Sequence, residues 1–451
     1  MPNVNAPNAQ RPGPITLVAT GCGTAIACVC ALGLGEIERR LGGIWSVLAV
    51  ACAALLCAAL ARALARLATV VPSGAGLLAF LSRGLGRRWA LLLMLPYVAL
   101  VLALVAVEAR IVGAVSARLV PIPPAAGALA FLGFTWAVAR SGVRPGLRAQ
   151  AAATGVLVIG FSLLAVAGVV AAARRPDFFA HLVPAAPAPL ALLGGIGQAL
   201  FLFMGFELVT NQVEVVRAPG AIASALVRSV RLLTVFYVLV ALGFSTLAAP
   251  QAGVAPGGDG DWLTPQLGLG AAAGSPLGAA AIGILCLLAS FTSFNGALLT
   301  LSRLVAALAS QGVLPRRLAH MDARRMVPSH ALAALLAAVV ALTFLLSTHA
   351  LINAVLAGSA AAAGLVWAAA IAVRERAPFA EPGRPRRHRV AAFALASLFI
   401  VFGLGALAEG LKAADPTRDP GRVPDPPRSA RAGQAGAPAR DPARVEIAHA
   451  H

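Results

Sequence analysis

Long uninterrupted stretches of apolar residues restrict what this chain can fold into. Each has about 20 residues, and a helix of that length crosses a hydrocarbon layer of roughly 30 Å. Short breaks rich in arginine, or in proline and glycine, separate the stretches. Of the 451 residues, 59% are hydrophobic and only 12% are charged, so water is a poor solvent for most of the chain. The pattern predicts an all-α integral membrane protein that crosses the bilayer many times.

Eleven stretches of the chain qualify as transmembrane spans. They lie at about 14–35, 43–66, 88–116, 124–140, 149–173, 190–216, 229–249, 276–309, 330–348, 350–373 and 390–412. Residues 1–13 show no secretory-signal pattern, so we expect a cytoplasmic N-terminal segment followed by a retained first span. Residues 413–451 are rich in proline, arginine and aspartate and have no periodic apolar face. We predict a disordered tail there.

Arginine is distributed asymmetrically over the loops between these spans. If the N-terminus is cytoplasmic, most arginines fall on the inner side. The outer side keeps Arg39, Arg40, Arg118, Arg174 and Arg175, with Arg110 near the end of a span. Because basic loops stay in the cytoplasm, the asymmetry predicts a multi-pass protein of the cell membrane with its N-terminus inside. The formal net charge of +19 then reflects topology and contact with the lipid bilayer, and does not indicate nucleic-acid binding.

The sixth span contains a carboxylate in the middle of its apolar run. In FLFMGFELVTNQVE, at 201–214, an ionised Glu207 would cost on the order of 3 kcal/mol at mid-bilayer, so it should face a cavity or a partner, or be protonated. Gly205, the glycine-rich sequence at 192–198 and the polar residues after Glu207 all weaken the helix at this point. We predict two half-helices joined by an unwound turn. The alternative is a continuous helix with Glu207 hydrogen-bonded inside a packed bundle.

The first span contains a possible counterpart, ATGCGTA at 19–25, with glycines at 21 and 23. Taken alone, this motif fits close helix packing slightly better than a break. The two spans, however, open two five-helix halves, and the second half enters from the opposite side because five is odd. Interrupted helices at corresponding positions of inverted repeats indicate a binding site near the middle of the membrane.

Broken helices offer a defined binding chemistry. Freed N–H groups at a half-helix N-terminus favour a carboxylate, and freed C=O groups at the opposite end accept hydrogen bonds from an ammonium. A zwitterionic amino acid matches both. Phe201, Phe203 and Phe206 flank the second break, and we predict that Phe201 and Phe206 gate the site, although packing is the commoner role for any one of these rings.

Three motifs resemble those of one transporter family, the amino acid-polyamine-organocation (APC) permeases. FMGFELVTNQVEVVRAP at 203–219 resembles the sixth-helix signature of the family. VPSGAGLLAFLSRGLG at 71–86 is similar to the stretch that follows the second helix in these permeases. FNGALLTLSRLVAALASQGVLPRRLA at 294–319 resembles the eighth helix and its exit. The motifs occur in the family's order and cover most of residues 14–390.

The resemblance implies a LeuT-type fold, a 5+5 inverted repeat with alternating access and broken helices one and six. Within a transporter domain at 14–412, repeat one would occupy about 14–173 and repeat two about 190–373. An extra helix would follow at about 390–412.

The resemblance also implies which residues bind the substrate. The glycine-rich stretch of the first helix would contact the backbone groups of the substrate, and two residues would lie at the sixth-helix break beside an aromatic gate. The residues so implied are Gly21, Cys22, Gly23, Thr24, Phe201, Gly205 and Glu207.

The chain also departs from the pattern of the family. The first-helix motif is degraded, Phe80 replaces a tyrosine, Gln311 replaces an aspartate and a twelfth helix is absent from the sequence pattern. These differences bear on substrate and transport competence more than on fold.

The coupling ion is less well specified than the fold. Sodium-coupled relatives use a hydroxyl pair on the eighth helix, which Ser290, Thr292 or Ser293 would supply here. Hydroxyls in transmembrane helices more often bond back to their own backbone. A titrating Glu207 would suit proton coupling, and an exchanger would need neither ion.

A second charged spot, Glu108 with Arg110, falls near the outer end of the third span. A vestibule pair is one explanation, and we prefer a pair of side chains that reach the outer interface by snorkelling. The histidines are scattered and form no metal-binding motif, so no metal or cofactor site is expected.

The sequence therefore predicts a secondary active transporter for an amino acid or related amine, and not an enzyme, because no paired acid and base or metal-ligand cluster falls at one depth. An amino acid/amine exchanger is the alternative within the transporter class. A transport-inactive sensor or membrane subunit is the alternative from another class.

Overall fold

The computed structural model describes residues 13–346, apart from residues 72, 74, 175, 177, 217–218 and 248–275. The spans predicted at 350–373 and 390–412, and the tail predicted at 413–451, lie outside the described residues. So does nearly all of the N-terminal segment 1–13.

The described part of the chain is built from helices. They are α1 (Pro14–Ala25), α2 (Cys28–Leu41), α3 (Gly43–Val70), α4 (Leu77–Leu85), α5 (Arg87–Leu119), α6 (Pro124–Arg140), α7 (Val143–Ala172), α8 (Phe178–Leu182), α9 (Pro189–Leu202), a 3₁₀ segment (Phe206–Val215), α10 (Pro219–Leu247), α11 (Pro276–Ser310), a 3₁₀ turn (Arg316–Ala319) and α12 (Ser329–Leu345). Within the described residues, six stretches are long and apolar enough to cross a membrane. They are Gly43–Thr69, Arg87–Leu119, Val143–Val170, Pro189–Gln212, Gly220–Gly243 and Ala280–Ser310.

Proline and glycine mark several of the helix boundaries. Proline occupies the first turn of α1, α6 and α9, where its missing N–H removes no intrahelical bond. Gly42 separates α2 from α3 with φ +72°, and Gly86 separates α4 from α5 with φ +87°. Both angles lie in the left-handed region, which glycine adopts without the penalty of a Cβ.

Two of the predicted spans are interrupted. The first divides into α1 and α2 at Ile26 and Ala27, whose backbones are extended. The sixth divides after α9, and Gly205, with φ +111°, precedes the 3₁₀ segment. The predicted pair of broken helices is therefore confirmed, and a continuous sixth helix is ruled out. The second half of the sixth span differs from expectation only in its tighter 3₁₀ winding.

Helix contacts divide the fold into two groups. The "bundle group" contains α1, α2, α3, α9, the 3₁₀ segment and α10, with α10 packed along α3 and α1. The "scaffold group" contains α5, α6, α11 and α12, with α5 packed against the other three. Helix α7 touches both groups, and α1 also reaches α7 and α11. The two interruptions thus lie where the groups meet.

One face of α7 carries an apolar row that stays exposed among the residues that the structure describes. Val156, Ile159, Leu163, Val166 and Val170 follow one another at intervals of three or four residues and are all more than 40% exposed. A ridge of this spacing on the outside of an apolar helix is the surface that lipid chains cover.

Candidate functional site

The two interruptions are in direct contact. A Cβ added to Gly205 would lie 2.8 Å from the carbonyl oxygen of Thr24 and 3.1 Å from the amide nitrogen of Ala25. Gly205 also has φ +111°. Two independent constraints, the backbone angle and the close approach of α1, therefore require glycine at this position.

Glu207 lies just after the second break and is 4% exposed. One carboxylate oxygen accepts a hydrogen bond from the Tyr97 hydroxyl at 2.5 Å, and the other accepts one from the amide of Gly205 at 2.9 Å. The Thr210 hydroxyl donates to the backbone oxygen of Glu207 at 2.7 Å. Glu207 thus satisfies an N–H group freed by the break and ties the break to α5 of the scaffold group.

Glu108 performs a similar role at the first break. It is fully buried on α5, and its Oε2 accepts hydrogen bonds from the amide of Cys28, at 3.1 Å, and from the hydroxyl of Ser290. Cys28 is the first residue of α2. A carboxylate from the scaffold group therefore sits on the N-terminus of the second half-helix.

The expectation that Glu108 snorkels to the outer interface is wrong. Glu108 lies about 11 residues, or roughly 16 Å, before the end of α5 at Leu119, which is too far for its short side chain to span. The N–H group freed at Cys28 gives it a partner inside the protein. Its neighbour Arg110 separately donates to the backbone oxygens of Thr343, at 2.7 Å, and Leu346.

The carbonyl groups freed at the end of α1 also have donors. The Ala25 oxygen accepts from the Tyr237 hydroxyl at 3.0 Å and from the Cys30 thiol at 3.3 Å. The Ile26 oxygen lies 3.5 Å from the hydroxyl of Thr292. Side chains from α10 and α11 thereby cover the negative end of the half-helix.

The glycine motif of the first span lies within α1, immediately before the break. A Cβ on Gly21 would approach the Ser229 hydroxyl to 2.6 Å, and one on Gly23 would approach the Thr154 hydroxyl to 2.2 Å. Both glycines thus allow α10 and α7 to pack closely on α1. Cys22 is buried beside Ser229, with its thiol 3.6 Å from the Ser229 backbone oxygen.

Thr24, the last of the four predicted first-helix residues, is 6% exposed, and its hydroxyl donates to the backbone oxygen of Thr20 at 2.7 Å. Its own carbonyl faces Gly205, so the structure brings this residue to the second break. Substrate contact by Gly21, Cys22, Gly23 and Thr24 stays a prediction.

The aromatic residues of the second break are buried. Phe201 is 7% exposed and Phe206 is 1% exposed. Phe203 packs edge-on against Tyr237, with ring centroids 5.3 Å apart. The gating roles of Phe201 and Phe206 stay predictions.

A cluster of amides and hydroxyls joins α7 to α11 and α1. The Gln150 amide donates to the Thr292 backbone oxygen at 2.8 Å and accepts from Asn295 at 2.9 Å. The Thr154 hydroxyl lies 3.1 Å from the Ala19 backbone oxygen. The sequence interpretation missed Gln150 and Asn295, although polar amides in apolar spans were a visible signal.

Two of the three hydroxyls considered for a sodium site, those of Ser290 and Thr292, have partners within the protein. Thr292 bonds back to the oxygen of Ala289 at 2.9 Å, as serine and threonine commonly do in membrane helices. Ser290 donates to Glu108. Within the described residues, no group of three or more His, Cys, Asp and Glu side chains is arranged to hold a metal ion.

One polar side chain of the 3₁₀ segment, seven residues after Gly205, is buried without a partner. Among the described residues, neither amide atom of Gln212 has a hydrogen-bond partner, although the residue is fully buried. An unsatisfied buried polar group costs about 1–3 kcal/mol, so this amide is a candidate for binding a ligand. The sequence pointed to the polar run at 210–212 without distinguishing Gln212 from its neighbours.

Comparisons with known proteins indicate the transporter class. The family described as amino acid permease matches residues 17–417. No curated protein sequence matches the chain. Among solved structures, Mhp1, a nucleobase-cation-symport-1 family transporter in a closed conformation with bromovinylhydantoin bound, is 14% identical, with a TM-score of 0.56 over 92% of this chain and 95% of that one.

A manganese transporter from Eremococcus coleocola, in complex with an aromatic bis-isothiourea substituted compound, is also similar. It is 15% identical, with a TM-score of 0.59 over 92% of this chain and 88% of that one. At such identities the likeness concerns the fold alone. The two neighbours have the LeuT-type transporter fold, so the predicted fold class and the predicted resemblance to APC permeases are both confirmed.

Proposed function

Because this chain belongs to the amino acid permease family, we propose that it is a secondary active transporter that moves an amino acid or related amine across the cytoplasmic membrane. The observation that carries the proposal is the contact between the two breaks. Gly205, with its positive φ, lies against the Thr24 carbonyl, so the ends of two half-helices meet. Half-helix ends at mid-membrane present peptide N–H and C=O groups that small charged solutes bind.

Alternating access requires the two helix groups to move relative to each other around the site. Two hydrogen-bonded carboxylates cross the boundary between them. Glu207 ties the second break to Tyr97 of the scaffold group, and Glu108 of the scaffold group holds the start of α2. In this mechanism, binding of a substrate between the breaks shifts the equilibrium between states in which these hydrogen bonds are formed and states in which they are broken.

The proposed orientation places the N-terminus in the cytoplasm. The Arg87 side chain donates to the Gln311 backbone oxygen at 2.6 Å, and the amide of Val143 donates to the Arg325 oxygen at 3.1 Å. The starts of α5 and α7 therefore share one end of the protein with the connection between α11 and α12. This end carries the arginine-rich loops, which supports its assignment to the cytoplasmic side.

Transport in proteoliposomes tests the proposal. Purified protein should take up labelled amino acids or amines, and Glu207→Gln should reduce uptake because the substitution removes the buried charge from the second break. Glu36→Gln is the matched control, since Glu36 forms a half-exposed pair with Arg40 on the surface of α2, and such pairs contribute little. Absence of uptake and exchange for every amino acid and amine tried, with folded protein, would contradict the proposal and favour a sensor or membrane subunit.

Preloading the vesicles separates the modes of transport. Uptake that needs unlabelled substrate inside indicates an exchanger. Uptake driven by a proton or sodium gradient into empty vesicles indicates a symporter and identifies the coupling ion.

A further inference from the structure

We propose that the substrate of this site is an amine that lacks a carboxylate, because Glu108 already occupies the position at which the carboxylate of an amino acid would bind. The inference rests on the proposed transport function and narrows its substrate class.

The position in question is the N-terminus of α2. The first N–H groups of a helix have no intrahelical partner, and this end of the helix dipole is positive. In α2 the first such group, the amide of Cys28, donates to Glu108 Oε2 at 3.1 Å. A carboxylate that belongs to the protein is therefore bound where the carboxylate of a ligand would be expected.

Glu108 is held in this position from a second side. The Ser290 hydroxyl on α11 donates to the same oxygen, and both residues are fully buried. A substrate carboxylate would have to displace Glu108 and leave it buried without its N–H donor, or share the half-helix end with a second negative charge. Both alternatives are unfavourable.

The second break is occupied in the same way. The amide of Gly205 donates to Glu207, so this N–H group is already bound by a carboxylate of the protein. Of the buried charged side chains in the described ranges, three are the glutamates 38, 108 and 207 and one is Arg303. Glu38 accepts hydrogen bonds from the amide of Gly43 and the hydroxyl of Ser46, and Arg303 donates to the Met326 oxygen. The charged side chains buried at the breaks are therefore the carboxylates of Glu108 and Glu207.

Two carboxylates and the nearby Ile26 carbonyl favour a cation and disfavour an anion. Farther along the 3₁₀ segment, the partnerless amide of Gln212 adds one further donor and acceptor. A primary amine satisfies this set of groups, whereas the carboxylate of an amino acid finds the amides of Cys28 and Gly205 already bound to carboxylates of the protein.

Matched pairs of ligands test the inference. Each pair differs only in the α-carboxylate, as in tyramine and tyrosine, histamine and histidine, agmatine and arginine, putrescine and ornithine, or isobutylamine and valine. In proteoliposomes with the wild-type protein, we expect the preferred amine to outcompete its amino acid by about tenfold or more, since the amino acid loses a charge-assisted hydrogen bond. An amino acid that is transported as well as its amine overturns the inference.

Substitution of Glu108 tests the cause. Glu108→Ala frees the amide of Cys28, so the preference should shift toward the amino acid of the pair. Glu108→Gln keeps an oxygen for this amide but removes the charge, so amine uptake should fall without a gain for the amino acid. Glu36→Gln should leave the selectivity unchanged, and an unchanged selectivity in folded Glu108→Ala would contradict the assignment of Glu108.

The outcomes separate the two proposals. If the wild-type protein transports amino acids in preference to amines, the inference about the substrate fails and the transport function stands. If it transports neither class, the proposed function fails. Should Glu108→Ala fail to fold, the selectivity of the wild-type protein and of Glu108→Gln still decides the question.

Discussion

The two breaks have the same design but are specified differently. At each, a glutamate accepts a hydrogen bond from a backbone amide freed by the interruption. At the second break the glutamate is local, because Glu207 follows Gly205 by two residues and the backbone turn depends on the positive φ of that glycine. At the first break the glutamate comes from α5, 80 positions away in the chain, and Ile26 and Ala27 have ordinary extended angles.

This difference indicates that the second break is encoded by its own sequence, whereas the first depends on the packing around it. We therefore expect the second break to be sensitive to local substitution at one position. The first break should be sensitive to loss of its remote partners.

The largest effect is expected for Gly205→Ala. A Cβ there meets both the unfavourable φ and the Thr24 carbonyl at 2.8 Å, so the protein should lose about 3 kcal/mol or more of stability and most of its transport. Thermal unfolding in detergent and uptake assays measure this. Gly155→Ala in α7, where nothing lies within 4 Å, is the matched control and should be neutral. Equal behaviour of the two variants would remove the claim of local encoding.

The next largest effect is expected for Glu108→Ala. The buried amide of Cys28 and the Ser290 hydroxyl lose their acceptor, which should cost about 2–3 kcal/mol and speed hydrogen exchange at the start of α2. Exchange measured by mass spectrometry should change there and not at the second break. Unchanged exchange at Cys28 would show that the first break does not depend on its remote carboxylate.

Tyr97→Phe should have a smaller effect, about 1.5–2 kcal/mol, since it removes a hydrogen bond to a carboxylate but leaves the bond from Gly205 to Glu207. The variant loses the hydrogen bond between the second break and α5, and thermal unfolding should detect the lower stability. A stability loss as large as that of Gly205→Ala would mean that the second break also depends on remote packing.

The smallest effect is expected for Tyr237→Phe at the first break. The lost bond, from the hydroxyl to the Ala25 oxygen at 3.0 Å, is between neutral groups and is worth about 1 kcal/mol. Comparison of the unfolding temperatures of the two Tyr→Phe variants tests whether Tyr97→Phe costs more stability than Tyr237→Phe. A larger loss for Tyr237→Phe would reverse the ranking of the two breaks.

Much of the fold was predictable from the sequence because its signals are local. Apolar stretches of about 20 residues indicate spans, and Gly205 beside Glu207 indicated the interruption of the sixth span. The first interruption was predicted only by pairing the two halves of the chain. Its position, at Ile26 and Ala27, follows the glycine motif, whose glycines pack against Ser229 and Thr154.

The site was less predictable. Glu207 was identified from its position in an apolar run, but its partner Tyr97 is 110 residues away and no local pattern links them. Glu108 was assigned to the interface because its sequence neighbour Arg110 suggested an exposed charged spot. Gln150 and Asn295 were missed because their hydrogen bond joins two helices that are far apart in the sequence.

The sequence by itself determined that this chain crosses a membrane as helices and that the sixth of them breaks at Gly205, because hydropathy and backbone freedom are properties of short segments. The tertiary structure alone decided which side chain caps each freed backbone group. A hydrogen bond to Cys28 or Gly205 depends on which atom reaches it in three dimensions, and in the first break that atom belongs to a helix distant in sequence.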